Sequence, residues 1–196
     1  MGTLIQKYAK YWGKNPSSML KKYDYQPTLT PRLDASSGKR FSRDTLHQIV
    51  LWKVNRWPDE ITRSQMGQLS ALAKLQPKQH RQAEDLLKEL LQIKGIGLPM
   101  ASTIFRFVNP RVFQIIDDRA FRVIKQFLPR EKNAKYPSKP NKPSSRQLEN
   151  YLQNSCDRYF VYLDALHKNS SKRLPFEMAD RILYQVDVEA GNKVGK

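Results

Sequence analysis

Two short groups of residues in this sequence have types and spacing suited to chemistry: Gly95-Ile96-Gly97, and the acidic pair Asp117-Asp118 some twenty residues later. The glycines interrupt an otherwise helical pattern, "LQIKGIGLPMAST", residues 91 to 103. Glycines one residue apart permit positive φ and a sharp turn between two helices. They also strip side chains from the start of the second helix, where unsatisfied amides and the helix dipole attract an anion such as a phosphate. The last carbonyls of the preceding helix point outward, where a monovalent cation can bridge to the same phosphate. Pro99 suits the first turn of the second helix, since its missing N–H costs nothing there. A plain helical hairpin with glycine caps is the alternative.

The composition says which anion to expect. Thirty-five Lys and Arg stand against 18 Asp and Glu among 196 residues, a formal charge of +17. A field of that sign and size attracts polyanions, of which nucleic acid is the commonest. A basic protein without catalysis would carry the same charge. An anionic membrane is a weaker expectation, because neither terminus forms a basic amphipathic helix with an aromatic face and no segment reaches spanning length. RNA is less favoured than DNA, since no aromatic RNA-binding motif is present.

The lone cysteine, Cys156, excludes an internal disulfide, a four-cysteine zinc site and a cysteine-ligated iron–sulfur cluster. Its place in an amphipathic pattern suits a small core residue better than a reactive thiol. His47, His80 and His167 have no ligand spacing. With no apolar leader at the N-terminus, the expectation is a soluble monomer in the cytoplasm, associated with the nucleoid.

The elements that must position these groups are all helical. Residues 1–41 read as a basic arm rich in Lys, Tyr and Pro, 42–190 as the helical domain, and 191–196 as a tail. Within the domain, Leu46, Ile49, Val50, Val54 and Trp57 share one helical face, and Pro58 ends that helix. Met66, Leu69, Leu72 and Leu75 mark a second helix, and Ala83, Leu86, Leu87, Leu90 and Leu91 a third that runs into the glycine turn. After the turn come Ala101, Ile104, Phe105 and Val108, then an extended "RVFQII", then a helix through Ala120, Val123, Ile124 and Phe127. Residues 129–146 lack any apolar period, carry four prolines and read as a solvated basic loop. Two further helices follow. One carries Leu148, Leu152, Tyr159, Leu163 and Leu166, the other Met178, Ile182, Leu183 and Val186 after Pro175. No alternating strand pattern of any length occurs, so the expected fold class is all-α.

"LLQIKGIGLPMASTIFRF" followed by "FQIIDDRAFRVI" resembles the helix–hairpin–helix DNA glycosylases, the superfamily of endonuclease III, 8-oxoguanine glycosylase and 3-methyladenine glycosylase II. Leu91, Gly95, Ile96, Gly97 and Ala101 match the hairpin, and Ile116-Asp117 the aspartate motif. The motif region covers about 35 residues; helix order extends the likeness less specifically over residues 43 to 190. The resemblance implies a two-lobed helical domain that binds duplex DNA, flips out a base and removes it. It implies phosphate contact at Lys94, Gly95, Ile96 and Gly97, and a structural K⁺ or Na⁺ on the carbonyls of Leu91, Ile93 and Ile96. It implies no catalytic cofactor.

Glycosidic cleavage develops positive charge on the deoxyribose, which an ionised carboxylate stabilises while orienting water. Asp117 is the candidate for that role; a helix N-cap is its other reading, and the two are compatible. The departures from the family pattern are specific. Pro99 stands where bifunctional members carry the Schiff-base lysine, so lyase chemistry through that position is excluded, and Lys94 replaces the usual proline. The expectation is a monofunctional glycosylase, with a non-catalytic DNA-binding module as the alternative. Lys53 and Arg56, three apart in "WKVNR", read as a solvated face or a phosphate clamp. Asp180-Arg181 reads as a local ion pair or a contact closing the lobes. Trp52, Trp57, Phe105 and Phe107 are aromatic candidates for stacking on a base, each in a pattern where core packing is the commoner fate.

Overall fold

The computed structural model describes residues 27–35, 43–53, 61–129, 135–172 and 174–192. Arg56 and Trp57 lie outside the described residues, as does the side chain of Lys53. The regular elements among the described residues are helical, with no strand among them. The chain divides into two units, residues 1–59 and 60–196.

In the first unit, α1 (Leu29–Asp34) and α2 (Arg43–Lys53) pack together, and the Trp52 indole donates to Thr30 Oγ1 at 2.9 Å. The division after Asp59 groups α2 with the N-terminal segment, although the change in composition falls near residue 41. Of the apolar stripe of α2, the described residues Leu46, Ile49 and Val50 are all exposed. A helical period decides which residues share a face, not whether another element covers it.

The second unit contains α3 (Arg63–Leu72), α4 (Glu84–Gln92), α5 (Leu98–Val108), α6 (Asp118–Ile124), α7 (Ser145–Asn169) and α8 (Ala179–Glu189). Helix α3 opens on a capping box in which Thr62 and Gln65 satisfy each other's backbone amides, and Ser144 with Gln147 does the same for α7. At the other end of α3, Asn109 Nδ2 donates to the Leu72 and Leu75 carbonyls at 3.0 Å each, so the residue that ends α5 also caps its neighbour.

The leucines of α4 and the aromatics of α7 build the core. Leu87, Leu90, Leu91, Tyr159, Leu163 and Leu166 are fully buried, each contributing roughly 1.5–3 kcal/mol through lost apolar surface. Helix α4 packs on both α5 and α7, and α6 packs on α8. Met66, Phe127, Met178 and Val186, which mark their helices in the sequence, are exposed. Each lies in or beside an end turn, or on a helix covered from one side only.

Candidate nucleic-acid interface

Helix α4 ends at Gln92, Ile93 turns extended, and the chain re-enters a helix at Leu98. Gly95 takes φ +85°, the left-handed region that glycine alone adopts without strain. Gly97 is different: at φ −104° and ψ 179° it is ordinary extended backbone, serving as N-cap of α5. The positive φ that the glycine pair permits is therefore taken at Gly95 and not at Gly97. Between them Ile96 is 1% exposed and pins the turn to the core, while Lys94 and Gly95 face solvent. Pro99 sits in the first turn of α5 as expected, and no side chain caps the Gly97 end. The Tyr151 hydroxyl approaches this end: a Cβ on Gly97 would lie 3.8 Å from it. Burial pushes the Tyr151 phenol up, against the pull of the Leu98 backbone.

On the carbonyl side of the turn, the ammonium of Lys139 donates to the oxygens of Leu91 at 2.6 Å, Ile93 at 2.8 Å and Ile96 at 3.2 Å. These are the three carbonyls at which a monovalent ion was expected. They converge as such an ion requires, but a side chain from the proline-rich segment is already among them. That segment is not merely solvated. Tyr136, three residues earlier, donates its phenol to the Ile116 carbonyl at 3.1 Å.

The extended stretch before Asp117 has no strand partner, so its polar backbone needs other partners. Three tyrosines supply them. The phenols of Tyr159, Tyr162 and Tyr136 donate in order to the carbonyls of Gln114, Ile115 and Ile116, at 3.0, 2.7 and 3.1 Å. Burial, with nearby aspartates adding to it, holds all three phenols well above the ordinary tyrosine range, so they remain donors. On the amide side, Ile115 donates to Asp180 Oδ2 at 3.3 Å and Ile116 to Ser102 Oγ at 3.2 Å.

Asp117 thus emerges from a backbone held on both edges. Its Oδ1 accepts the Ala120 N–H at 2.7 Å, making it the N-cap of α6. The side chain is half-buried, whereas Asp118 is exposed. Helix α6 is tied down by Asp187 of α8, a fully buried carboxylate that accepts from Arg119 Nη1 at 3.1 Å and Asn192 Nδ2 at 2.9 Å, with Arg122 Nε 3.5 Å away. Asp180 does not pair with the neighbouring Arg181 side chain. It faces the buried Arg106 of α5, Nε 3.6 Å away, and accepts the backbone N–H of Arg181 as well as that of Ile115.

Beside these groups, a cleft of about 520 Å³ opens between the 135–140 segment and α7. Lys135, Arg158, Gln147, Asn150, Asn154 and Tyr151 line it, and among the described residues no carboxylate does. Arg158 stands over the Phe121 ring at 5.8 Å, with Nε and Nη1 shielded from solvent and without hydrogen-bond acceptors. Burial lowers its pKa. A cationic wall suits an anionic or carbonyl-rich ligand.

Sequence reasoning missed Lys139, Tyr136, Arg158 and Asp187. The first two lie in a stretch without hydrophobic period, where the only hint was "YPSKP", an aromatic and a lysine among prolines. Phe105 packs in the core against Phe113, and Phe107 is 67% exposed with the Arg106 guanidinium 5.2 Å from its ring. Among the described residues no cluster of His, Cys, Asp or Glu is arranged to hold a metal ion, and no helix is long and apolar enough to cross a membrane.

No family model, no curated protein and no solved structure matches the chain.

Proposed function

We propose that this chain is a DNA glycosylase on a two-lobed helix–hairpin–helix fold, acting as a monomer on duplex DNA to remove a damaged or modified base by hydrolysis. The observation that carries the reading is the direct link between the hairpin and the aspartate. Ser102 on the second hairpin helix holds the backbone one residue before Asp117, so a phosphate gripped at the hairpin has a fixed relation to the carboxylate.

In this reading the exposed Lys94 and the first-turn amides of α5 meet a backbone phosphate. The target nucleotide leaves the stack, at a cost of a few kcal/mol that is lowest for damaged or mispaired bases. Lys135 and Arg158 flank the neighbouring cleft, whose cationic lining suits a base carbonyl or a phosphate. The C1′–N bond then breaks with its electron pair going to the base, which takes up a proton. A water oxygen bonds to C1′ and gives a proton to the Asp117 carboxylate, leaving an abasic site. Asp117 also stabilises the positive charge on the sugar as the base departs. Pro99 has no amine, so no Schiff base forms at that position.

One observation favours the binding-module reading. The Asp117 carboxylate is engaged as an N-cap, which by itself accounts for an aspartate there. The decisive comparison is wild type against Asp117→Asn on duplexes carrying 8-oxoguanine, alkylated purines, uracil, thymine mispairs or modified cytosines. Asn caps helices as well as Asp, so the variant keeps the fold. Alkali-revealed release in the wild type, absent in the variant and without a borohydride-trapped adduct, is the expected result. Binding without release from any duplex would leave the module.

A further inference from the structure

Three backbone carbonyls from a single turn, those of Leu91, Ile93 and Ile96, converge on one nitrogen, Lys139 Nζ, at 2.6 to 3.2 Å. Convergent carbonyl oxygens at such range form a cation site, because each replaces part of an ion's hydration shell. A protonated lysine carries three donors, and here three carbonyls take them. The segment that delivers the lysine is stiffened by its sequence. Pro140 follows Lys139 directly and holds it to extended conformations, while Pro137 lies two residues before. Tyr136 anchors the same segment through its bond to the Ile116 carbonyl. The ammonium is therefore delivered by an ordered strap rather than by a free side chain.

We propose that Lys139 is a built-in cation, occupying the hairpin position that a K⁺ or Na⁺ ion would otherwise fill, so that the phosphate anchor of this chain is complete without a metal ion. The part of this that concerns phosphate rests on the DNA-binding reading above; the replacement of an ion does not. The two devices differ chemically. A metal ion can take a phosphate oxygen as a direct ligand, whereas an ammonium whose donors face three carbonyls offers the phosphate charge alone. It also cannot exchange with solution, so the anchor should be indifferent to which monovalent salt is present.

The test compares wild type, Lys139→Ala and Lys139→Met in potassium, ammonium, sodium and tetramethylammonium chloride at equal ionic strength. Thermal melting is read without DNA, and duplex binding by fluorescence anisotropy. The wild type should melt within about 1 °C in all four salts. Lys139→Ala, which opens the space, should melt lower in tetramethylammonium and recover in potassium or ammonium. Lys139→Met, whose stem fills the space, should not recover. Affinity of Lys139→Ala for DNA should fall about tenfold in tetramethylammonium and return with the small cations. A wild type that gains stability from potassium, or a Lys139→Ala loss that no cation repairs, overturns the proposal. Thallium NMR on the wild type covers the case in which the variants do not fold, since a bound Tl⁺ resonance would overturn it equally. If melting behaves as expected while DNA affinity ignores both variant and salt, the built-in cation stands and the DNA-anchoring reading falls.

Discussion

Ser102 Oγ accepts the backbone N–H of Ile116 at 3.2 Å and donates to the Pro99 carbonyl at 3.0 Å, so one buried hydroxyl joins the first turn of α5 to the residue before Asp117. Both of its roles are local on one side and long-range on the other. The donation to Pro99 stays within its own helix, while the acceptance crosses to a segment fourteen residues on.

Removing that hydroxyl strands a buried amide. Ser102→Ala should destabilise the protein by about 1–3 kcal/mol, the cost of an unpaired buried donor. Urea unfolding monitored by circular dichroism measures it. If base release is confirmed, the same variant should lose more turnover than a destabilised variant remote from the hairpin.

The two hairpin glycines should respond differently to a methyl group. At Gly95 a Cβ meets nothing within 4 Å, so the penalty is backbone strain alone, about 1–2 kcal/mol at φ +85°. At Gly97 the backbone is ordinary and the nearest atoms are 3.8 Å away. Gly97→Ala loses a little N-cap preference and gains from a stiffer unfolded chain, for a net change within about 0.5 kcal/mol. Under the proposed function it should nevertheless weaken DNA binding, because its methyl sits beside the amides of the α5 terminus. Equal destabilisation by both substitutions would contradict the dihedral argument.

Acid should weaken this fold through two histidines. His80 is 1% exposed, and burial lowers its pKa despite Asp164 Oδ1 3.0 Å from Nε2; His167 and Arg81 push the same way as burial. His167 stacks on Phe176 at 3.8 Å and is lowered by burial and by Lys78, against Asp164 and Glu177. A histidine whose folded pKa lies below its unfolded value binds fewer protons when folded, so stability falls as pH drops through about 6.5. His80→Phe should flatten that slope, since Asp164 keeps its bond to Arg81 at 2.6 Å. Urea midpoints at pH 7.5, 6.5 and 5.5 read the effect, and an unchanged slope would remove His80 from the account.

Cys156 is buried and free, and burial pushes its thiol up to about 12. It should ignore a disulfide reagent in the native protein at pH 8 and react stoichiometrically once urea unfolds the chain. Rapid labelling of the native state would mean that α7 opens locally.

Much of the helical scaffold is legible without a structure. The leucine spacing from Leu86 to Leu91, the extended "RVFQII" and the capping potential of Asp117 each depend on residues within a few positions of one another. Local hydrogen bonding and a 3.6-residue period decide such features, and both can be read from the chain. The same period says which residues share a face and not their burial: on α2, Leu46, Ile49 and Val50 are exposed.

By itself, then, the sequence determined an all-helical chain of high positive charge with a Gly95 turn and an aspartate opening the next helix. Tertiary structure alone decided what converges on those features. Lys139 reaches carbonyls 43 to 48 residues earlier, and Tyr159 and Tyr162 satisfy carbonyls 45 and 47 residues before them. The physical reason is that an unpartnered backbone oxygen accepts any donor that packing brings near. Which donor arrives depends on how α7 and the proline-rich strap lie over the hairpin, and no local pattern encodes that.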